Sequence, residues 1–85
     1  MISVVLPSLL ATQAGGRKRF EVEGPTVEAA LRALPIGDLI FDEHGVLRPL
    51  VNVYVDGVDV RHDKGLHTPV TDGQTVRVVA AVAGG

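Results

Sequence analysis

The chain has 85 residues, the length of a single domain, and 46% of them are hydrophobic. It contains no cysteine, which excludes disulfides, thiolate metal sites and a cysteine nucleophile. Its 8 basic and 10 acidic residues give a net charge of −2, without the basic surplus that nucleic-acid-binding proteins usually carry. We therefore expect one globular domain over residues 1–85 that binds no nucleic acid.

The N-terminal segment places Ile2, Val4 and Leu6 at every second position, and this period predicts a half-buried strand. No positive charge precedes the apolar run, and Pro7 interrupts it. We therefore expect neither a signal peptide nor a membrane span, and a cytoplasmic protein. The small, glycine-rich stretch at residues 11–16 predicts a loop.

A second strand is predicted at residues 18–23, where Phe20 and Val22 alternate with charged side chains. We expect it to form a hairpin with the first strand. The sequence GGRKR at residues 15–19 lacks the strand–loop–helix context of a phosphate-binding loop. We interpret it as a hairpin loop whose basic rim helps to dock an acidic partner.

One main helix is predicted after this hairpin. Thr26 is a candidate N-cap, and Glu28 and Arg32 form an i,i+4 pair on the outer face. Pro35 ends the helix, and a further short helical turn is predicted at residues 36–41. The apolar positions at helical spacing are Val27, Ala30, Leu31 and Leu34.

The second half of the chain is rich in residues that favour strands. Its predicted elements are a strand at 50–55, the two-residue hairpin turn Asp56-Gly57, a returning strand at 58–61, a loop at 62–65, a short edge element at 66–70, a turn at 71–74 and a last strand at 75–82. One helix after a hairpin, followed by β-rich sequence, predicts an α+β sheet with the helix packed across one face.

The last strand is apolar on both of its faces. Such a strand is usually central in its sheet, or it exposes one face to a partner, and both can hold for different parts of one strand. We therefore take Val79 and Ala81 as candidate docking residues. One face carries Val76, Val78, Ala80 and Val82, and the other carries Arg77, Val79, Ala81 and Ala83.

Candidate catalytic and metal-binding residues are few. His62, Asp63 and His67 lie in the sequence HDKGLH, but their spacing is not helical and no further zinc ligand is evident, so a solvated loop is the better interpretation. The Asp-Gly turns lack the spaced acidic ligands of a calcium loop. Ser3 and Ser8 have no assignable histidine base. The chain resembles a substrate or carrier rather than an enzyme, with no catalytic residue, metal or bound cofactor.

The sequence ends in Gly84-Gly85. A frayed tail is the ordinary interpretation of such an ending, and we expect residues 82–85 to be flexible. A chemical interpretation is also available, because an ionised α-carboxylate becomes an acyl donor once a partner adenylates it. Glycine suits this role, since a backbone without side chains can thread a narrow channel toward a nucleotide.

Several segments together resemble the MoaD/ThiS family of ubiquitin-like sulfur carriers. They are ISVVLP, TVEAALRAL, LVNVYVDGVDVR, TDGQTVRVV and the terminal AVAGG. Within that family, LRPLVNVYVDGVDVR, the Gly65-Leu66 pair and VVAAVAGG look most like the carriers that supply sulfur for cysteine synthesis in actinobacteria. Members often have a proline before the terminal segment, where this chain has Ala80-Ala81, and that departure blurs the sub-family.

The resemblance implies a β-grasp fold, a mixed sheet of four to five strands with one main helix. It also implies that an E1-like adenylyltransferase of the MoeB/ThiF type adenylates Gly85, using ATP and magnesium, before sulfur replaces the adenylate. Gly84 and Ala83 would thread the partner's active site. The thiocarboxylate would then attack an aminoacrylate on a pyridoxal-phosphate-dependent cysteine synthase, and a JAMM-type zinc protease would release the product.

Three other roles fit the same residues. The chain could be the small subunit of molybdopterin synthase, whose tail inserts into the large subunit. It could be a protein modifier that forms isopeptide bonds to lysines. A carrier for thiazole synthesis is a further alternative, although those carriers tend to be shorter than this chain.

Overall fold

The computed structural model describes residues 1–80, which form a five-stranded mixed sheet. Its strands are β1 (Ile2–Val5), β2 (Arg19–Val22), β3 (Val51–Val55), β4 (Val58–Asp59) and β5 (Thr75–Ala80). They lie in the order β2-β1-β5-β3-β4, with β1 and β5 parallel and the other neighbours antiparallel. The expected α+β fold, with β1 and β2 paired antiparallel, is confirmed.

The main helix, α2 (Val27–Arg32), forms where its sequence predicts. The Thr26 hydroxyl accepts a hydrogen bond from the Ala29 amide at 3.3 Å and so caps the first turn. Arg32 donates to Glu28 on the outer face, as expected from their spacing. The helix ends at Arg32, before Pro35, and the short helix α3 (Gly37–Ile40) follows within the segment where a helical turn was predicted.

Residues 11–16 contradict the prediction of a loop, because a short helix, α1 (Ser8–Gln13), extends into this stretch. Pro7 occupies its N-cap position with φ −70°, and its carbonyl accepts a hydrogen bond from the Ala11 amide at 2.9 Å. Leu10 and Ala11 are buried, so packing stabilises a helix that is too short to be stable by itself. Gly15 and Gly16, both at positive φ, lead back into β2.

The turn between β3 and β4 is the predicted Asp56-Gly57 hairpin, with φ of 48° and 87° at the two positions. The returning strand is shorter than predicted and ends at Asp59. The Asp59 carboxylate accepts a hydrogen bond from the Arg61 amide at 2.9 Å, and this local bond turns the chain into a 3₁₀ turn at Val60–His62.

Residues 62–70, predicted as a loop at 62–65 and a short edge element at 66–70, form local hydrogen-bonded structure. A second 3₁₀ turn covers Gly65–His67, and Pro69 forms an isolated bridge with Thr26. The Val27 amide donates to the Thr68 carbonyl at 3.0 Å, so the segment is hydrogen-bonded to the start of α2. The short edge element predicted at 66–70 is therefore wrong as a strand of the sheet, since only the isolated bridge of Pro69 to Thr26 forms there.

The helices cover one face of the sheet and form the core with it. Within residues 1–80, every helix falls short of the length and apolar character that a membrane crossing requires. The largest side chains that are fully buried are Val4, Val27, Leu31, Ile40, Val53, Val76 and Val78.

The open face of the sheet and the exit of the C-terminal segment

The two faces of β5 have different surroundings. Val76 and Val78 point into the core and are buried, whereas Arg77 and Val79 are exposed on the opposite face. The open face is the side of the sheet that carries Arg77 and Val79. The prediction that β5 is central is confirmed, and its outer face is exposed along the described length.

One row of side chains crosses the whole open face. Strand register places Arg19 opposite Val5, Val5 opposite Arg77, Arg77 opposite Tyr54 and Tyr54 opposite Asp59. Residues directly opposite each other in a ladder share a face, so these five side chains form the central row. The next row toward the end of β5 pairs Val79 with Asn52.

The edge of the sheet where β5 ends is the exit edge, because the chain leaves the described structure there. Parallel β1 ends at this edge, antiparallel β3 begins there, and Val51 lies opposite Ala80. Leu9 in α1 and Leu50 before β3 are 56% and 53% exposed, and Val79 is 38% exposed. The exit edge therefore carries apolar side chains that the fold itself does not cover.

Asp59, at the β4 end of the central row, pairs with Arg61. Its Oδ2 accepts from the guanidinium at 2.7 Å, and side-chain and backbone hydrogen bonds from Arg61 lower the Asp59 pKa to about 2. The same contacts raise the pKa of Arg61. Two ion pairs within residues 1–80 involve the row: this one, which neutralises both charges at the β4 edge, and Arg19–Glu21, in which Nε and Oε1 lie 3.9 Å apart.

The opposite end of the open face is acidic. The Ser3 hydroxyl donates to Glu21 at 3.0 Å, and the Thr75 amide donates to the Asp56 carboxylate at 3.1 Å. The Met1 amino group donates to Asp72 at 2.7 Å. Its pKa is raised by that hydrogen bond first, and also by the nearby charges of Asp72, Glu23 and Glu21, so several carboxylates lie around this end.

The other candidate residues are spread across the fold. His62 and His67 lie in the two 3₁₀ turns, with Asp63 between them, and all three are exposed. No three His, Cys, Asp or Glu side chains in the described range come together in a way that would hold a metal ion. The tail positions Ala81, Ala83, Gly84 and Gly85 lie outside the described residues.

Comparison with known proteins identifies the family of this chain. The ThiS family model matches residues 4–85, nearly the whole sequence. The chain belongs to the ThiS family. The sulfur carrier protein CysO of Mycobacterium tuberculosis is 35% identical over 91 residues, covering 99% of this chain and 98% of that protein. The predicted resemblance to MoaD/ThiS-type carriers, and to the cysteine-synthesis sub-family among them, is confirmed.

Solved structures agree with this assignment. A chain of the Amycolatopsis orientalis BexX/CysO crystal structure superposes with a TM-score of 0.86 and 34% identity, covering 100% of both chains. The solution structure of small archaeal modifier protein 1 from Methanosarcina acetivorans also gives a TM-score of 0.86, at 24% identity over 99% of this chain. The second likeness concerns the fold alone. This ThiS-family chain therefore has the β-grasp architecture that the resemblance implied.

Sequence reasoning did not single out Leu9, Leu50 or the central row as parts of the site. The period of the last strand places Arg77 and Val79 on one face, but the partners of that face depend on strand order and register. Leu9 was missed because no helix was predicted between the first two strands. Alternation in the 50–55 strand was the available signal for Tyr54, since it separates Tyr54 from the buried Val53 and Val55.

Proposed function

We propose that this ThiS-family protein is a sulfur carrier whose reacting group is the carboxylate of Gly85. The observation that carries the proposal is the extent of the family match, which continues through residue 85 and so includes the Gly84-Gly85 end. The curated relatives that match nearly the whole chain are named sulfur carrier proteins. The protein then acts as a co-substrate that other enzymes modify.

In the proposed cycle, an E1-like adenylyltransferase activates the carboxylate. A carboxylate oxygen of Gly85 attacks the α-phosphorus of magnesium-bound ATP, forming an acyl adenylate and releasing pyrophosphate. A sulfide-level donor then attacks the acyl carbon and expels AMP, which leaves a thiocarboxylate. The net change on the carrier is one oxygen replaced by one sulfur, with no change in the oxidation state of the carbon.

We propose cysteine synthesis as the destination of the sulfur. The support is the match to proteins named CysO and the sub-family resemblance of the LRPLVNVYVDGVDVR segment. The thiocarboxylate sulfur would add to an aminoacrylate on a pyridoxal-phosphate-dependent synthase. A shift of the acyl group from sulfur to nitrogen would then leave cysteine amide-linked to Gly85, and a zinc protease would hydrolyse that amide.

The partners would dock on the open face beside the exit edge. Val79 is exposed there, and Leu9 and Leu50 are further exposed apolar side chains, on the segments that follow β1 and precede β3. We propose that Val79 and Ala81 contact the partner while Ala83 and Gly84 thread its active site. A rigid sheet would thereby fix the position of the partner relative to Ala80, the last residue of β5, and so set how far the reacting end has to reach.

Deletion of Gly85 tests the chemistry. Wild-type protein, incubated with its E1-like enzyme, ATP, magnesium and a sulfur source, should show the oxygen-for-sulfur mass change on its C-terminal peptide by mass spectrometry. The shortened chain should show no transfer and an unchanged thermal unfolding midpoint, because terminal residues usually contribute little packing. A wild-type C-terminal peptide without the mass change would refute the proposal.

A charge at Val79 tests the docking face. V79D should weaken binding of the E1-like enzyme about tenfold or more, because it places a carboxylate in an apolar contact. V46D is the matched control, since Val46 is 58% exposed and lies outside the sheet. Isothermal titration calorimetry would measure both. Equal affinities of V79D and V46D would show that partners dock elsewhere.

A further inference from the structure

Arg77 occupies the centre of the open face. It lies on the middle strand, with Val5 on one side and Tyr54 on the other, and its side chain is exposed. In the described part of the chain, no carboxylate oxygen lies within 4.0 Å of its guanidinium. An arginine between an apolar residue and a tyrosine is the composition typical of the energetic centre of protein interfaces.

The charges around Arg77 are segregated along the strands. Arg19 lies in the same row, and Arg17 and Lys18 lie in the hairpin that leads into β2, where the Leu6 amide is bonded to the Lys18 carbonyl near the end of β1. Arg17 stacks on the Phe20 ring at 4.6 Å, and because Phe20 is a core residue opposite Val4, Arg17 lies toward the covered side and not on the open face. The basic side chains therefore lie toward the exit edge.

The acidic side chains lie at the other end of the same strands. Glu21 pairs with Ser3 at the start of β1, and Asp56 contacts the first residue of β5. Asp72 precedes β5 and contacts Met1. On the open face, Arg77 and Arg19 therefore lie nearer the exit edge than Glu21 does, but Arg19 Nε already lies 3.9 Å from a Glu21 oxygen. Arg77 is the basic residue of the central row that has no carboxylate within 4.0 Å among the described residues, so a partner's carboxylate is favoured there and disfavoured beside Glu21.

We propose that the open face binds a protein surface bearing carboxylates, which pair with Arg77 and orient the partner's catalytic site toward the exit edge. The proposed function supplies the identity of the partner in this inference, and the charges on the open face indicate the chemistry of the partner's surface. Arg77 is the anchor, because it lies exposed between Val5 and Tyr54 at the centre of the face and has no carboxylate partner among the described residues. The acidic end repels the same carboxylates and so disfavours the reversed orientation.

A nucleic acid is the competing anionic partner, and the pattern disfavours it. A phosphate backbone requires basic groups along its whole track, whereas Glu21, Asp56 and Asp72 interrupt this face. The whole chain is also net acidic at −2. A protein surface can instead match Arg77 and avoid the acidic end within one contact area.

Charge reversal at Arg77 tests the inference. The wild type, R77E and K64E are titrated into the E1-like enzyme by isothermal titration calorimetry at low and high salt, and each is assayed for thiocarboxylation. K64E is the matched control, because it changes the net charge by the same amount as R77E. Lys64 lies away from the open face, next to the 3₁₀ turn that packs against α2. We expect R77E to bind about tenfold or more weakly and to lose most of the salt dependence, with K64E close to wild type.

The outcomes separate the two hypotheses. If the wild type is thiocarboxylated and R77E binds as well as K64E, the proposed function stands and the acidic-partner inference is wrong. If the wild type is not thiocarboxylated, the carrier proposal fails. The inference is then decided by titrating the isolated ¹⁵N-labelled chain with a hexaglutamate peptide and with an oligothymidylate of six nucleotides.

In that titration, the peptide should shift the amide resonances of Val5, Tyr54 and Arg77 most, and R77E should abolish these shifts. Shifts that are largest outside the open face, or unchanged in R77E, would overturn the inference. Tighter binding of the oligothymidylate than of the peptide would also overturn it, in favour of a nucleic-acid surface.

Discussion

The two faces of the sheet have similar sequences and different roles. On β5, Val76 and Val78 alternate with Arg77 and Val79, and the valines on both faces favour a strand equally well. Val78 is 1% exposed because it belongs to the hydrophobic core on the covered face, whereas Val79 is 38% exposed on the open face. Burial of Val78 stabilises the fold, and we assign Val79 to partner binding.

This comparison shows that apolar character alone does not locate a core. A central strand has side chains on two faces, and when the chain covers only one face, the apolar side chains on the other face stay exposed. Arg77 between Val5 and Tyr54 adds a charge to the open side, which would be costly in a covered core without a partner. The open face therefore has the character of an interface.

The largest effect is expected from placing the same charge on the two faces. V78D buries an unpaired carboxylate in the core and should abolish cooperative unfolding, because its cost approaches the whole stability of a small domain. V79D should lower the free energy of unfolding by about 1 kcal/mol or less, the span of strand propensities. Thermal denaturation followed by circular dichroism would measure both variants.

The contrast between the two variants decides the assignment of the faces. Loss of folding in V79D would mean that the open face is core and that Val79 is not available for docking. A folded V78D would mean that the covered face tolerates charge, which would contradict the burial of Val78. The docking test of V79D is informative only after this control, since an unfolded variant also fails to bind.

The covered face was the more predictable of the two. The helical period of 3.6 identified the buried positions of α2, such as Val27 and Leu31, because burial selects apolar side chains at that spacing. The Asp56-Gly57 turn was equally readable, since few residue pairs accept positive φ twice. These features are local in sequence, and the structure confirms them.

The rest depended on contacts between distant residues. The helix α1 has no side-chain cap, and its stability comes from burying Leu10 and Ala11 rather than from a sequence signal. The end of β4 depends on a hydrogen bond that the Arg61 amide donates to the Asp59 carboxylate. The central row around Arg77 exists only in the strand order β2-β1-β5-β3-β4, which no local period specifies.

An intermediate effect is expected at Gly24, where the chain passes close to the helix on the covered side. A Cβ built there would lie 2.9 Å from the Ala29 Cβ and 3.1 Å from the Ala30 amide nitrogen. G24A should therefore destabilise the fold by about 1–3 kcal/mol through overpacking. Urea denaturation would measure the loss.

Gly37 provides the matched control for this test. A Cβ there would meet nothing closer than the Leu31 carbonyl oxygen at 3.9 Å, an ordinary contact. G37A should remain within about 0.5 kcal/mol of wild type or be slightly more stable, because alanine favours the helix. Equal losses from the two substitutions would show that backbone freedom, and not close packing of α2, explains Gly24.

The smallest effect is expected on the open face, at Asp59. Its folded-state pKa of about 2 lies below its ordinary value of 3.8, so ionised Asp59 stabilises the fold at higher pH. That contribution is complete above 3.8 and is lost as the pH falls toward about 2. D59N keeps an oxygen that can accept from the Arg61 amide but removes the charge. The thermal midpoint of D59N should therefore fall less steeply than that of wild type as the pH decreases over this range. Asp72 is unchanged in both proteins, so it contributes equally to the pH dependence of both. Parallel acid profiles would mean that the Arg61 pair adds no pH-dependent stability, leaving only the backbone hydrogen bond to end β4.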